Sequence, residues 1–145
     1  MFDWFNDLPG WVKVISLTLL AIGYMYGQIE AARSVMRIFE RRAREKKVTE
    51  WQATTRAAIS VIGHGAAATF VDDNVVMLVP VLDAQNQPTD YVVMHKVLTA
   101  LNHDHKVASE VIPTTDLNVA QRRYKELATQ WLADGKRVDG RELLK

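Results

Sequence analysis

The stretch Trp11–Lys47, WVKVISLTLLAIGYMYGQIEAARSVMRIFERRAREKK, changes from apolar to basic within one uninterrupted segment. Val14–Ile29 contains sixteen residues without a formal charge, and counting back to Trp11 with a snorkelling Lys13 lengthens the window to nineteen. A transmembrane helix needs about 17 to 25 mainly apolar residues, so this window is long enough to cross a bilayer. Its apolar side chains lie all around the helix, whereas a soluble core helix would normally show a polar stripe.

The residues around this window favour the same interpretation. Pro9 and Gly10 give a natural helix start. The first ten residues, MFDWFNDLPG, are acidic and aromatic rather than basic, so a cleaved secretory signal is not expected. Aromatic side chains favour the membrane–water interface, and six of them bracket the window: Phe2, Trp4, Phe5, Trp11, Tyr24 and Tyr26. The alternative is a helix at the membrane interface or in the hydrophobic core of a soluble fold.

Charge is distributed unevenly along the chain. The net charge is +1, but residues 30–47 carry seven basic and three acidic side chains, while residues 48–145 carry ten basic and twelve acidic ones. Only Lys13 is basic on the N-terminal side of the window, so the positive-inside rule predicts a cytoplasmic C-terminal domain. The basic flank consists of Arg33, Arg37, Arg41, Arg42, Arg44, Lys46 and Lys47.

Three small residues recur at intervals of four inside and just after the window. Gly23, Gly27 and Ala31 therefore share one helix face. Small residues at this spacing let two helix backbones approach closely in lipid, which predicts pairing with another copy of the chain or with another membrane helix. The alternative is that glycine is simply frequent in spanning helices.

The basic flank also predicts an amphipathic helix that continues out of the membrane. An anionic leaflet attracts each juxtamembrane arginine by about 1 kcal/mol, so membrane lipid is the expected partner. Nucleic acid is the competing partner because a basic run can neutralise phosphates. It is not favoured, since orientation and solvation already account for the charges. The basic stripe is Arg33, Arg37, Arg41 and Arg44, and the apolar stripe is Val35, Met36, Phe39 and Ala43.

Length and composition indicate one small domain in addition to the apolar helix. The chain has 145 residues, of which 48% are hydrophobic and 24% charged. The predicted fold is mostly α, α+β: a long apolar-to-basic N-terminal helix, then about three helices and one or two short strands. The predicted parts are a membrane-spanning or hydrophobic anchor at 1–30, a basic amphipathic helical extension at 31–63, and a small α+β domain at 64–145.

The first half of the remaining chain predicts a helix followed by a strand. Helical spacing of the residues Val48, Trp51, Thr55, Ala58 and Ile62 predicts a helix that ends at Gly63 and Gly65 and is continuous with the basic flank. Val75–Leu82 is rich in β-branched residues and predicts a strand. Pro80 indicates that this strand lies at a sheet edge or ends early.

The second half is harder to assign. Tyr91, Val92 and Val93 favour a strand, but apolar residues at helical spacing after Thr89 and Asp90 favour a capped helix, which is the preferred interpretation. The sequence VASEVIP predicts a second short strand. A soluble helix follows, capped by Thr115 or Asp116 and ended by Gly135, with one apolar face of Leu117, Ala120, Tyr124, Leu127 and Trp131.

No residue pattern predicts a reaction. The absence of cysteine excludes disulfides, thiolate metal sites and cysteine nucleophiles. His95, His103, Asp104 and His105 have metal-binding side chains, but their spacing is poor and an ordinary polar turn is the preferred explanation. His64, between two glycines, is expected in an exposed loop, and adjacent Asp72 and Asp73 in a solvated turn. We therefore expect no catalytic residue, metal, cofactor or small-molecule substrate.

Three function classes fit this sequence. The leading hypothesis is a non-enzymatic, single-pass membrane-anchored subunit that oligomerises or docks other protein subunits in a larger assembly. The second is a viral or bacterial membrane-perturbing, pore-forming or genome-delivery component whose spans associate. The third is a soluble structural or enzymatic domain whose N-terminal helix is buried in an oligomer.

Overall fold

The computed structural model describes residues 9–143, which form two helices and one sheet. The predicted interface aromatics Phe2, Trp4 and Phe5 lie outside the described residues. In chain order the elements are helix α1 (Gly10–Ile62), strands β1 (Ala67–Val71), β2 (Asn74–Leu82), β3 (Pro88–Leu98) and β4 (Asp104–Ile112), and helix α2 (Leu117–Trp131).

α1 is a single helix of 53 residues. Its first turn is closed by the Pro9 carbonyl, which accepts the Val12 and Lys13 backbone N–H groups at 2.9 and 3.2 Å. Its end follows from Gly63, whose φ of +66° lies in the left-handed region that glycine adopts without steric penalty. The chain divides into two compact units, one ending at Arg44 and the other beginning at Glu45, and α1 contributes residues to both.

The sheet is an antiparallel meander in the order β1-β2-β3-β4, so each strand pairs with its neighbours in the sequence. The β1–β2 turn is Asp72 and Asp73, because Val71 pairs with Asn74. Each turn between successive strands contains an Asp or Asn at positive φ, a conformation these residues tolerate better than most: Asp72 at +53°, Asn86 at +64° and Asn102 at +60°.

One face of the sheet packs against α2 and forms the main hydrophobic core. Asp116 starts α2 by accepting the Asn118 backbone N–H at 2.8 Å. A bidentate ion pair between Arg123 of α2 and Glu110 of β4, at 2.7 and 3.0 Å, joins the helix to the far edge of the sheet. The buried core comprises Val76, Leu78, Tyr91, Val93, Ile112, Ala120, Tyr124, Leu127, Ala128 and Leu132.

The other face of the sheet lies against the last turns of α1. The Trp51 ring packs edge-to-face with Phe70 at 6.3 Å between ring centroids, and the indole donates its Nε1 hydrogen to Asp104 at 2.6 Å. Val75 and Met77, which alternate with the α2-facing residues of β2, are 0% and 6% exposed. β2 is therefore buried on both faces.

The structure confirms a mixed α+β fold but corrects the predicted element count. The described residues contain two helices in all, so one helix follows the apolar helix rather than about three, and they contain four strands rather than one or two. The predicted helix after Thr89 is wrong, because this segment is β3. Its half-buried and buried residues alternate with a period of two, so the apolar residues Met94 and Val97 belong to opposite faces of a strand.

Pro80 was a misleading signal. β2 lies inside the sheet, between β1 and β3. The pairing of Val71 with Asn74 directs the backbone groups of even-numbered β2 residues toward β1. β1 starts at Ala67, which pairs with Leu78, so Pro80 lies beyond the end of β1 and its missing N–H breaks no ladder bond.

The predicted boundaries of α2 are confirmed at one end only. Asp116 caps the start as expected. Gly135 does not cap the end, because the helix stops at Trp131 and Leu132 is the capping residue. Gly135 instead takes a φ of +78° in the following turn.

The double burial of β2 leads to a stability prediction. Leu78 is fully buried in the core, so Leu78→Ala should lower the free energy of unfolding by about 2 to 5 kcal/mol. Val111→Ala is the matched control because Val111 is 62% exposed, and it should lose less than about 1 kcal/mol. Denaturant unfolding of the full chain in detergent, followed by tryptophan fluorescence, measures both. Equal losses in the two variants would contradict this packing.

Candidate functional site

The apolar window of α1 is unburied in this chain. Among the described residues, α1 alone is long and apolar enough to cross a membrane, and none of its most apolar eighteen-residue window is buried. Leu20 and Tyr24 are 68% and 70% exposed. A core helix of a soluble protein would bury one face at least. Leaving a large apolar side chain in water rather than burying it costs about 1.5 to 3 kcal/mol.

The three small residues lie on α1 as the sequence predicts. A Cβ atom built on Gly23 or Gly27 meets no heavy atom within 4 Å beyond the local backbone. With Ala31 one turn further along, they leave one face of the helix without bulky side chains over about two turns. Whether a second helix occupies this face stays a prediction.

All seven residues of the basic flank also lie on α1, on its solvent-exposed or half-exposed surface. Glu30 offsets part of their charge, since its two carboxylate oxygens lie 3.3 Å from Arg33 and 3.8 Å from Arg37. These side chains are 61 to 70% exposed, and such exposed pairs contribute only about 0 to 1 kcal/mol each. The basic character of the surface therefore persists.

The histidines do not converge. His95 is buried on the α2 side of the sheet, where its Nε2 lies 2.8 Å from Asn74 Oδ1 and its ring stacks on Trp131. His103 lies in the turn before β4. His105 and Asp104 are successive residues of β4 and therefore point to opposite faces. In residues 9–143, no three His, Cys, Asp or Glu side chains are placed to hold a metal ion.

His64 and the paired aspartates have structural roles. His64 is exposed in the loop after α1, as expected, with a φ of +49°. Asp72 pairs with Arg137 at 3.0 Å, and its carbonyl accepts the Gln52 side chain at 2.8 Å. The Asp72 side chain is 80% exposed, as expected for a solvated turn, and the turn also contacts α1 and the segment after α2.

Sequence reasoning missed a polar clamp that holds the segment after α2. Asn74, 1% exposed, donates its amide to the Val138 carbonyl at 2.8 Å and shares its oxygen with His95. Asp73 accepts the Gly140 backbone N–H at 3.1 Å, and a Cβ on Gly140 would clash with the Leu98 carbonyl oxygen. Asn74 and His95 inside apolar strands were the available signal, because buried polar groups require partners.

Comparisons with protein-family models, with curated proteins and with solved structures found no match to this chain.

His95 predicts a pH dependence of stability. Burial lowers the pKa of His95 below its ordinary value of 6.5. The unfolded chain therefore binds a proton at pH values where the folded chain does not, and the free energy of unfolding should fall as pH falls below 6.5. His95→Gln should flatten this fall. Thermal unfolding measured between about pH 7.5 and about pH 5 reports this pH dependence. Most of this range lies above the pH at which carboxylates such as Glu110 titrate.

His105→Gln is the matched control, since His105 is exposed on β4. It should keep the pH dependence of the unmodified chain. An unmodified chain whose stability is the same at both ends of this pH range would contradict the role given to His95.

Proposed function

We propose that the chain is a non-enzymatic, single-pass membrane-anchored subunit, which oligomerises or docks other proteins in a larger assembly. The observation that carries this proposal is the apolar window of α1, none of which is buried although it lies in the same chain as a folded sheet domain with its own core. A bilayer would cover all sides of such a helix at once.

The orientation follows from the basic flank. Arg33, Arg37 and the five basic residues after them come directly after the apolar window, and Lys13 alone precedes it. Lys and Arg are retained on the cytoplasmic side during insertion. The α+β domain is therefore proposed to be cytoplasmic, with the flank close to anionic lipid.

The titratable groups of the sheet domain support a role without catalysis. Among residues 9–143, four groups have perturbed pKa values, and each has a structural partner. Glu110, whose pKa is lowered by the Arg123 hydrogen bonds, ties β4 to α2. Tyr124, whose pKa is raised by burial, bonds to Thr69. These groups hold elements together and do not form an acid–base pair in a shared cleft.

Alkaline carbonate extraction tests the anchor. The full chain should stay with the membrane pellet, because the bilayer holds the apolar window by burial rather than by charge. A chain without residues 1–30 should become soluble and keep its folded domain. Release of the full chain into the supernatant would contradict anchoring, and loss of folding in the shortened chain would favour the alternative of a helix buried in an oligomer.

A reporter fused to the C-terminus tests the orientation in the same cells. It should read as cytoplasmic, and an extracytoplasmic signal would overturn the proposed topology while leaving the anchor intact.

The small-residue face predicts self-association within the membrane. Replacing both Gly23 and Gly27 by isoleucine should weaken crosslinking between copies, because branched side chains would hold the two backbones apart. Ala21→Ile with Met25→Ile is a matched control, since it adds two β-branched residues at the same spacing of four on the other side of α1 and leaves the small-residue face unfilled. Crosslinking that is unchanged in the Gly23→Ile, Gly27→Ile variant would remove this face from the oligomer.

A further inference from the structure

An open groove of about 480 Å³ lies between β1 and α2. Its volume is within the range of about 300 to 1,000 Å³ that is common for binding pockets. β1 contributes Thr69 and Val71 to the lining. α2 and the segment directly after it contribute small side chains that leave the groove wide, namely Ala128, Thr129 and Ala133.

The strand beside this groove has a free edge. Among the described strands, β1 pairs with β2 alone. Because Val71 closes the hairpin with Asn74, it and Thr69 direct their backbone groups toward β2. The N–H and C=O groups of Ala68 and Phe70 therefore point away from the sheet. An extended segment that lies along β1 could bond to these groups, as in recognition by strand addition.

The groove fits one set of side chains of such a segment. Alternate residues of an added strand would point to the α2 side of the sheet and enter the groove. Beside Tyr124 and Leu132, the lining consists mainly of valine, alanine and threonine, and the groove is open rather than deep. Small apolar side chains therefore fit it. The other residues would point to the opposite face.

The charge of the groove selects the partner further. Lys125 lines the groove, and none of the lining residues is acidic. Lys125 forms no ion pair with any of the described residues. A carboxylate on the incoming segment would form an ion pair with the Lys125 ammonium group. A second copy of β1 would not, because Ala67–Val71 contains no acidic residue.

We propose that this groove docks an extended segment of a separate partner protein, which adds to β1 as a strand, places small apolar side chains against α2 and sets an acidic side chain beside Lys125. This inference rests on one part of the proposed function, namely that the α+β domain docks a partner protein. It requires neither the membrane anchor nor the Gly23 face.

A designed peptide tests the proposal with the full chain in detergent micelles. The probe is fluorescein-labelled Gly-Val-Thr-Glu-Thr-Val-Thr, in which the glutamate and both valines belong to the same alternating set and so point to the groove together. Its fluorescence anisotropy reports binding. It should bind saturably, and the same peptide with Lys in place of Glu should bind about five- to tenfold more weakly because its charge opposes Lys125.

Two variants connect binding to the groove. Lys125→Glu should reverse the preference, so that the Lys peptide binds more tightly than the Glu peptide. Thr129→Trp should abolish binding of both, because an indole would fill the groove. Arg122→Glu is the matched control: Arg122 is exposed on α2 and does not line the groove, so both affinities should stay unchanged. Thermal unfolding verifies that each variant is folded, and Lys125→Glu at an exposed position decides the matter if Thr129→Trp does not fold.

Strand addition has its own readout. The Glu peptide N-methylated on one alternating set of residues should lose binding, while methylation of the other set should not, since only one set faces β1. Equal effects of the two sets would overturn strand addition. No saturable binding up to about 1 mM would overturn the docking site, as would an unreversed preference in Lys125→Glu. The unmodified chain could instead form larger oligomers that the Thr129→Trp variant does not form. That result would show that a second copy occupies the groove, and it would also overturn the proposal.

These outcomes are separable from those of the anchor. A chain that binds the peptide but is released by carbonate keeps the groove and loses the anchor. A chain that stays in the membrane pellet but binds no peptide supports the anchor and overturns the groove.

Discussion

Burial of β2 on both faces is the constraint on which the arrangement of the sheet domain depends. Val76 and Leu78 pack under α2, while Val75 and Met77 are covered on the opposite side. A four-stranded meander with one helix would leave one face in water, which antiparallel sheets tolerate only when that face is polar. Because the second face of β2 is apolar, the last turns of α1 are needed to complete the domain, and Trp51 and Gln52 fix them through Phe70, Asp104 and Asp72.

This constraint also explains which parts of the fold could be predicted from the sequence. α1 and α2 carry long patterns with helical spacing and end signals, so their existence was predictable. β3 was not, because its strand and helix patterns overlap: Met94, Val97 and Leu98 also match a helix, and only pairing with β2 and β4 decides between them. Such pairing joins residues distant in sequence, and local patterns do not contain it.

The candidate sites divide in the same way. The apolar window, the small-residue face and the basic flank are each local features of one helix, and the sequence is enough to place them. The groove between β1 and α2 and the clamp from Asn74 to Val138 join residues more than fifty positions apart. The composition of each segment gave no hint of them, apart from the buried polar residues Asn74 and His95.

The two edges of the sheet differ in how they meet an added strand. β4 is irregular, because Val107 is an extra residue between the pairs His95–Ala108 and Lys96–Lys106. A bulge and a charged residue on an edge strand are common ways to prevent unwanted pairing. β1 carries neither device, and at five residues it is protected only by being short. An unprotected edge beside an apolar groove suits the binding of a specific partner strand. Lys125 favours a partner strand that carries an acidic side chain.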